Sequence, residues 1–583
     1  MEATTGGAII ARMLRQERVE KFFGIVDGTY TQLFAQCVEL GIEMISPRHE
    51  AVAAHMAGAY ARLTGGLGVC IASNGPGVAN MLAGVAVENG EGNRVLLITS
   101  SRRTGIIYPD RGGTYQCFDQ VGVIRAMSKW SQAVPSIERL PELLRHALRM
   151  CHTGRPGVVH LDVPENLING VCADVPLQAP HQYRRVAPPV PAAALVERAA
   201  EILAAAQLPM IHAGGGVIHA QAFAALARVA ELLHAPVTTA WSARGVLPET
   251  SPLAWPMIHI EACNRLRNTA DVVLCLGSEL GETDWWGKAP YWAPPQQQRF
   301  IQVDIDDARL GRNRPADVAI LGDVGVFLTA LVERLADMRM PLQARRAAVA
   351  RLAEEKAAAR AALDAVLANT DAPMITAHVA ATCRRVFKDD AVVVFDGGNT
   401  AVWGNYFTEL RVPNTQLSTA HFGHLGAGVG QALGAAVARP AAQVYCLIGD
   451  GAMGFNMQEI ETAVRHQLKV VFLVCVDRQW GMVKINQMVA LQPFRDVFKS
   501  ALGPDHSRTI NTDLGEIAWD RLAASMGAYG ERVSAPHELE PALCRCLAEE
   551  RCAVIHVDVD PTAHMFAPGL QHFKDMHQEP AGT

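Results

Sequence analysis

The fold is decided by residues 444–452, which read Val-Tyr-Cys-Leu-Ile-Gly-Asp-Gly-Ala. The five apolar residues predict a buried strand, and the Gly-Asp-Gly segment predicts the turn that ends it. After the turn, apolar residues recur at the spacing of one helix face, at Met457, Ile460, Val464 and Leu468. The stretch therefore predicts a strand, a glycine-rich turn and a helix in succession.

This turn has the composition of a metal–phosphate site. Ligands of parallel α/β sheets bind where strands end, Gly451 lets the backbone approach an anion, and N–H groups near a helix start can receive it. Asp450 offers the hard oxygen that Mg²⁺ prefers. A second apolar run, 470–476, ends at Asp477. If the two strands are neighbours, the two carboxylates would repel unless a cation lay between them, and a diphosphate would complete its ligand shell.

The same strand–helix alternation extends over most of the chain. We predict an α/β protein with three doubly wound parallel-sheet domains, at 1–183, 192–335 and 374–560. A proline-rich linker, 184–191, separates the first two. The charged, alanine-rich segment 343–367 predicts an outer helix before the third. The tail after Asp560 looks irregular because of its prolines.

Composition excludes several classes of protein. The 583 residues carry a formal net charge of −6 and no basic block, which argues against nucleic-acid binding. The N-terminus has no signal-peptide pattern, and the apolar runs are too short to span a membrane. The 13 cysteines are scattered without a C-x-x-C pair, which favours a reducing cytoplasm over disulfides or zinc.

The strand–GDG–helix–strand–Asp arrangement, with Asp477 27 positions after Asp450, resembles the thiamine-diphosphate signature of the acetolactate synthase superfamily. The resemblance implies that the side chains of Asp450 and Asp477 and the backbone carbonyl of Gln479 bind Mg²⁺. Relatives usually have Asn where this chain has Asp477. The segments around these ligands would contact thiamine diphosphate, through Gly449, Gly451, Ala452, Trp480, Gly481 and Met482.

The first block carries the other half of this resemblance. In the family a glutamate forms a hydrogen bond with the cofactor's pyrimidine ring. Glu50 fits that position, because it follows Ile42–His49 and begins a predicted helix. The loop Ser73–Asn80 resembles the family's GPG loop, so Gly75, Pro76 and Asn80 would lie near the pyrimidine. Because the family joins the two halves across subunits, the resemblance implies a homodimer or homotetramer.

Several other loops resemble the family over only a few residues each. Asn399 and Thr400 follow a third-block strand and would bond phosphate oxygens, and Leu425 falls where relatives place an apolar wedge beneath the cofactor. Tyr115-Gln116 resembles a Phe-Gln pair of acetolactate synthases, so Gln116 would reach the active site. Asp27, in the first-strand loop, is either a substrate-selecting residue or a turn residue.

The central block resembles the family's middle domain at 209–216 and 302–306. That domain carries FAD in acetolactate synthases and ADP in oxalyl-CoA decarboxylases, and it is empty in others. Its glycine-rich turns are therefore either part of a nucleotide site or only close-packing turns.

The leading functional hypothesis is a carboligase or lyase that decarboxylates a small 2-oxo acid and transfers the acyl carbanion to an acceptor. A sulfoacetaldehyde acetyltransferase is an alternative, since Arg478–Gly481 and Asn486-Gln487 resemble that enzyme; its substrate is an aldehyde. A 2-hydroxyacyl-CoA or oxalyl-CoA lyase is another. A non-catalytic, cofactor-binding homologue is the alternative of a different class.

Overall fold

A computed structural model describes residues 3–491, 509–570, 572 and 575. It contains three six-stranded sheets in which every neighbouring pair of strands is parallel. Helices connect the strands, because parallel neighbours need crossover connections. The predicted fold class is confirmed.

The first sheet has the order β3-β2-β4-β5-β7-β6, and β1 pairs with β8 outside it. The strands are β1 (Ala3–Thr5), β2 (Lys21–Phe23), β3 (Glu43–Ile45), β4 (Gly68–Ala72), β5 (Val95–Ser101), β6 (Trp130–Ala133), β7 (Val158–Pro164) and β8 (Val171–Ala173). The helices are α1 (Gly6–Gln16), α2 (Thr31–Glu39), α3 (Glu50–Thr64), α4 (Pro76–Glu91), α5 (Gln120–Arg125), α6 (Leu140–Cys151), α7 (Glu165–Ile168) and α8 (Pro180–Tyr183).

The central sheet has the order β11-β10-β9-β12-β13-β14. Its strands are β9 (Pro209–Ala213), β10 (Val237–Thr239), β11 (Ala254–Trp255), β12 (Val272–Leu276), β13 (Arg299–Asp304) and β14 (Val318–Leu321). Its helices are α9 (Ala193–Ala205), α10 (Gly215–His219), α11 (Phe223–Leu233), α12 (Ile260–Thr269) and α13 (Val324–Leu335). The predicted outer helix follows as α14 (Leu342–Asp364), and most of its residues are exposed.

The third sheet has the order β16-β15-β17-β18-β20-β19. Its strands are β15 (Val392–Asp396), β16 (Gln416–Leu417), β17 (Val444–Gly449), β18 (Val470–Val476), β19 (Tyr529–Val533) and β20 (Ala553–Asp558). Its helices are α15 (Thr376–Val386), α16 (Gly398–Phe407), α17 (Ala427–Ala438), α18 (Asp450–Asn456), α19 (Glu459–Arg465), α20 (Gly481–Ala490), α21 (Trp519–Ser525), α22 (Pro536–Ala548) and α23 (Pro561–Met565).

The two innermost strands of the third sheet carry continuous apolar runs, Val444–Ile448 in β17 and Val470–Val476 in β18, because both faces of the sheet are buried. In β17, Val444, Cys446 and Ile448 join one core, and Tyr445 and Leu447 join the core on the opposite face. The alternation follows from the two-residue period of a strand. Continuous apolar runs of this kind are typical of parallel sheets covered by helices on both sides.

The first and third domains share one of these cores through α3 and α17. The two helices approach closely at glycines of α17: a Cβ on Gly434 would lie 2.5 Å from the carbonyl oxygen of Met56. Val52 and Met56 of α3 belong to the same buried cluster as Val429 and Leu433 of α17. This contact fixes the two domains against each other within one chain.

Three sequence predictions need correction. The predicted Gly-Asp-Gly turn is a direct strand-to-helix junction, since β17 ends at Gly449 and α18 begins at Asp450. The helix that follows is divided into α18 and α19, so Met457 and Leu468 lie outside helices. The tail after Asp560 begins with a helix, α23, whose first N–H groups bond Asp560: its Oδ1 accepts from Thr562 N at 2.8 Å and from Ala563 N at 2.9 Å. Over the described part of the chain, no helix combines the length and apolarity needed to cross a membrane.

Candidate active site

Asp450 and Asp477 meet at the carboxyl edge of the third sheet. β17 and β18 are parallel neighbours, with Gly449 opposite Cys475, so the residues that follow each strand lie side by side. Asp450 is held by backbone amides: Oδ1 accepts from Gly451 N at 2.8 Å, and Oδ2 accepts from Arg478 N at 2.9 Å. The sequence prediction that the two carboxylates are adjacent is therefore confirmed by the strand order.

The electrostatics of this pair favour a cation. Both side chains are buried, and burial raises the pKa of each carboxyl group. Burial and the neighbouring Asp450 charge raise the pKa of Asp477 to about 7. Ionisation of both carboxyl groups is disfavoured by desolvation and by their mutual repulsion. A bound cation would compensate both effects.

Two carboxylates alone do not complete a metal site. Within the residues that the structure describes, no group of three or more His, Cys, Asp or Glu side chains is arranged to hold a metal ion. The backbone near Gln479 offers a further oxygen: the neighbouring bridge uses the Arg478 carbonyl and the Trp480 amide, not the Gln479 carbonyl. Mg²⁺ commonly takes one or two carboxylates and completes its octahedron with phosphate oxygens and water.

Asn399 supplies independent evidence for a polar ligand. It is 5% exposed, yet neither Oδ1 nor Nδ2 of its side chain has a hydrogen-bond partner. Buried polar atoms are nearly always paired in folded proteins, and an amide that lines a cavity without a protein partner is available to a polar ligand. Thr400 lies beside it at the start of α16, which follows Gly397 with φ of +93°. The amide and the nearby helix start suit a phosphate group.

These residues surround a single cavity, which we call the cradle. All twelve third-domain residues predicted from the sequence line it: Asn399, Thr400, Leu425, Gly449, Asp450, Gly451, Ala452, Asp477, Gln479, Trp480, Gly481 and Met482. Five further residues line the cradle: Gly397, Gly398 and Gly423 lie in the loops around Asn399 and Leu425, and Val483 and His564 were not predicted.

Close packing explains two of the cradle glycines. A Cβ on Gly451 would lie 2.7 Å from the ring of Trp480, and one on Gly398 would lie 2.7 Å from Cγ of Met482. The wall of the cradle therefore needs a bare backbone at both positions.

His564 is the least expected member of the cradle. It lies on α23, is 3% exposed, and burial lowers the pKa of its imidazole to about 4, so the ring is neutral. Its Nδ1 is 2.6 Å from Oγ1 of Thr376, and its Nε2 is 3.3 Å from Oγ1 of Thr400. It therefore orients Thr400 toward the cavity. The Asp560-Pro561 cap could have predicted the helix, but no sequence signal places His564 here.

A second cluster forms around Glu50 in the first domain. Glu50 is the first residue of α3 and is 8% exposed. Its Oε2 accepts a hydrogen bond from Nδ2 of Asn80 at 3.0 Å. Asn80 lies in the first turns of α4, which Pro76 begins and Gly75 precedes. The four residues predicted to lie near the pyrimidine are thus brought together.

Gln116 joins this cluster through its backbone. Its carbonyl oxygen accepts a hydrogen bond from Nδ2 of Asn74 at 3.2 Å. A Cβ on Gly75, which has φ of +65°, would lie only 2.7 Å from that oxygen. Gly75 is therefore required both by its conformation and by the approach of Gln116.

The cradle and the Glu50 cluster remain separate within one chain. None of the described residues that line the cradle belongs to the first domain. The residues of the Glu50 cluster therefore form no part of the cradle wall in this chain.

Asp27 forms a local turn. Its Oδ1 accepts from the amide of Thr29 at 2.9 Å and from the Thr29 hydroxyl at 2.6 Å. This geometry favours the turn interpretation over a role in selecting the substrate.

A further cavity lies where the three domains meet. Its walls include arginines of the first domain, the glycine turn after β9 and His421 of the third domain. Gly214 and Gly216 are needed for packing, since a Cβ on either would lie within 2.6 Å of Gly277 atoms. Gly215, by contrast, has open space where its Cβ would be. Packing alone therefore does not explain the whole turn.

Comparison with known proteins agrees with this architecture. Three family profiles match in chain order: "Thiamine pyrophosphate enzyme, N-terminal TPP binding domain" at 4–123, the central domain at 196–331, and the "C-terminal TPP binding domain" at 396–557. Together they cover well over half of the chain.

Proteins of similar length also match almost end to end. The chain is 28% identical to a probable acetolactate synthase large subunit of Methanocaldococcus jannaschii, over 95% of this chain and 92% of the relative. It is 28% identical to the acetolactate synthase isozyme 3 large subunit of Escherichia coli, over 97% and 96%. It is also 28% identical to human 2-hydroxyacyl-CoA lyase 1, over 96% of each chain. The chain therefore belongs to the thiamine pyrophosphate enzyme family, with N-terminal, central and C-terminal domains in that order.

Proposed function

We propose that this enzyme is a carboligase or lyase of the acetolactate synthase type, which uses thiamine diphosphate and Mg²⁺ to decarboxylate a 2-oxo acid and transfer the acyl fragment to an acceptor. The observation that carries the proposal is the cradle, in which the orphaned Asn399 amide lies in the same cavity as the paired carboxylates of Asp450 and Asp477. The acetolactate synthases among the relatives support the reaction type.

Different residues would bind different parts of the cofactor. Asp450, Asp477 and the Gln479 carbonyl would bind Mg²⁺, and the Asn399 amide would donate to a phosphate oxygen. When bound, thiamine diphosphate would supply both a carbon nucleophile and a thiazolium ring that takes up the electrons of the cleaved bond. Glu50 would hold and transfer a proton at the pyrimidine nitrogen N1′. The apolar walls at Leu425 would exclude water from the reacting carbonyl.

The test is a substrate panel on the purified enzyme. Carbon dioxide release is expected from at least one small 2-oxo acid, such as pyruvate, only when thiamine diphosphate and Mg²⁺ are both present. A chelator should abolish the release, and added Mg²⁺ should restore it. Absence of turnover across the 2-oxo acids and 2-hydroxyacyl-CoA thioesters would refute the proposed function.

Cleavage of a 2-hydroxyacyl-CoA is the second candidate, favoured by the end-to-end match to the human lyase at the same identity as the synthases. It needs the same cradle, so the two candidates differ only in the substrate pocket. Sulfoacetaldehyde belongs in the same panel, with acetyl phosphate as the product to detect. The substrate that gives the highest kcat/KM decides among them.

We further propose that a second copy of the chain completes each active site in a homodimer or a tetramer of dimers. Glu50 hydrogen-bonds Asn80 of its own domain, whereas no first-domain residue lines the cradle among the described residues. Closed twofold assemblies are the commonest oligomers of soluble proteins. In such a dimer the first domain of each subunit would face the cradle of its partner, so that the dimer has two equivalent active sites.

Shared sites predict complementation between inactive variants. Glu50→Gln and Asp450→Asn damage opposite halves, so co-expressed chains should form mixed dimers with one intact site. Each mixed dimer has one intact site out of two, so purified mixed dimers should show about half of the wild-type specific activity. The measurement is turnover by material purified through two different tags.

The matched control places both changes in the same half. Co-expression of Glu50→Gln with Asn80→Ala should restore no activity beyond that of the two single variants, because every site in a mixed dimer then takes its first domain from one of the two altered chains. Recovery in this control, or no recovery with Asp450→Asn, would contradict sharing of the site between subunits.

We propose that the cavity between the three domains binds an adenine nucleotide, as FAD or ADP. Its walls carry both charges: Arg62 and Arg155 beside the open Gly215 could bind phosphate groups, and carboxylates such as Asp304 could accept hydrogen bonds from ribose hydroxyls. Denaturing the purified enzyme should release the nucleotide. The flavin absorption spectrum separates FAD from ADP, and a nucleotide-free, fully active preparation would refute this proposal.

We also propose a cytoplasmic location. All 13 cysteines are unpaired, and most are buried. Unpaired thiols in this number fit a reducing compartment. Cell fractionation followed by immunodetection tests the assignment.

A further inference from the structure

The loop between β5 and α5, residues 102–119, carries Gln116 to the Glu50 cluster. It has 18 residues and contains no helix or strand, only an isolated bridge between Thr104 and Ile107. A loop of this length in a compact domain is typically functional. Its conformation therefore depends on the contacts that attach it to the sheet.

The two ends of the loop are attached by polar contacts. Near the beginning, the Thr104 amide donates to Oδ1 of Asn166 at 2.9 Å, and Nδ2 of Asn166 donates to the Thr104 hydroxyl at 2.9 Å. Near the end, the Gln116 carbonyl accepts from Asn74 at 3.2 Å. Between these points the loop must be held by other contacts.

Tyr108 makes the contact in the middle. Its hydroxyl donates to Oδ2 of Asp162 at 2.8 Å, and Asp162, within β7, is fully buried. Asp162 also accepts from the Thr99 hydroxyl at 2.7 Å and from the Gln120 amide. Tyr108 itself is 44% exposed and adopts φ of +56°, a conformation rare for a bulky residue. The hydrogen bond therefore stabilises a conformation that the backbone disfavours.

The attachment shapes a cavity. Tyr108 and Gln116 line the same space beneath the loop, together with Arg102, Cys117 and Phe118. Although the side chain is partly exposed, partial burial and the neighbouring Asp162 carboxylate raise the pKa of the Tyr108 phenol, so its hydroxyl stays protonated and remains a donor. Release of Tyr108 would open this wall and free the segment that ends at Gln116.

We propose that Tyr108 is a positioning residue: its hydrogen bond to Asp162 fixes the loop so that Gln116 meets the acceptor substrate. The inference rests on the proposed function, because it assigns Gln116 to the step that follows decarboxylation. Asp162 keeps its bonds to Thr99 and Gln120 when Tyr108 is changed, so loss of the phenol should alter the loop without unfolding the domain.

The test compares Tyr108→Phe with the wild-type holoenzyme. KM for the acceptor should rise about tenfold, the scale expected for a hydrogen bond to a charged group. Decarboxylation of the donor without acceptor should stay within about twofold, since the cradle and Glu50 are untouched. Hydrogen exchange of the amides in 102–119, measured by mass spectrometry, should be faster.

A double-mutant cycle separates positioning from a general loss of structure. If Tyr108 acts through Gln116, the Tyr108→Phe/Gln116→Ala enzyme should be no worse than Gln116→Ala alone. Tyr529→Phe is the matched control: it removes a tyrosine–carboxylate bond of 2.8 Å, to Glu531, on β19 of the third domain. It should change neither kinetics nor exchange in the loop.

Three results would overturn the inference: an unchanged acceptor KM in Tyr108→Phe, effects of the two substitutions that multiply, or unchanged exchange in 102–119. Failure of the proposed function looks different, because the wild-type enzyme would then turn over no substrate of the panel. The exchange measurement needs no turnover, so it still decides whether Tyr108 holds the loop.

Discussion

Replacing Glu50 by Gln is expected to lower turnover by a factor of about 10²–10⁴, the contribution typical of a positioned acid–base group. Gln has nearly the same shape and keeps an oxygen that can accept from Asn80, which lies 3.0 Å from the Glu50 carboxylate. It has no carboxylate to hold and transfer a proton at the pyrimidine ring. Carbon dioxide release at saturating cofactor and Mg²⁺ measures the loss.

Binding of the cofactor should largely survive this change, because the cradle lies on the third domain. Titration with thiamine diphosphate, followed by intrinsic fluorescence, separates the two effects. Glu43→Gln is the matched control: Glu43 is an exposed glutamate of the same domain, paired with Lys21, and its loss should change the rate by no more than about twofold. A Glu50→Gln enzyme with wild-type turnover would show that the glutamate is not catalytic and would favour a cofactor-binding role for the fold.

The core of the fold could be predicted because each buried strand is a continuous run of apolar residues, and several such runs indicate the same parallel sheet. In β18 every residue from Val470 to Val476 is apolar and buried, and the strand ends where the sequence predicts it. The Asp450–Asp477 contact follows from one topological assumption, that β17 and β18 are neighbours, and the parallel register satisfies it. The cradle was therefore predictable once two adjacent strand ends were recognised.

The strands at the edges of the third sheet could not be predicted in this way, because they contain no apolar run. β16 contains two residues, Gln416 and Leu417, and β19 reads Tyr-Gly-Glu-Arg-Val. Edge strands pair on one side only, so burial does not impose an apolar run on them. The helix that begins at Asp450 likewise divides at Met457-Gln458, where the spacing of the apolar residues predicts no break.

Contacts between distant segments were also invisible in the sequence. His564 reaches Thr400 from 164 positions away, and Tyr108 reaches Asp162 from 54 positions away. Neither pair belongs to a motif of fixed spacing, so only the folded chain brings them together. Glu50 was found because it begins a helix in a recognisable context, whereas its separation from the cradle within one chain required the structure.

Asp450→Asn is expected to weaken binding of thiamine diphosphate in the presence of Mg²⁺ by at least about 100-fold, beyond the 10–100-fold loss common for partners of metal ligands. Both oxygens of Asp450 accept backbone N–H groups, from Gly451 and Arg478. An amide has one acceptor oxygen, so its NH₂ group would face one of these donors and distort the turn. The substitution also removes a negative charge from the cation site. Cofactor titration at fixed Mg²⁺ measures the change.

The same substitution at Asp477 is the control and should cost about tenfold or less, because Asn keeps a metal-binding oxygen there. It should also raise the melting temperature of the cofactor-free enzyme, since burial and Asp450 both disfavour ionised Asp477 and raise its pKa to about 7. Asp450→Asn should not raise the melting temperature, because the NH₂ group of the new amide would face a backbone N–H that the carboxylate now accepts. Equal losses of cofactor affinity in the two variants would contradict the division of roles, in which Asp450 is fixed by the turn and Asp477 contributes mainly one oxygen. A larger loss in Asp477→Asn would make Asp477 the principal ligand and would place the cation nearer to β18.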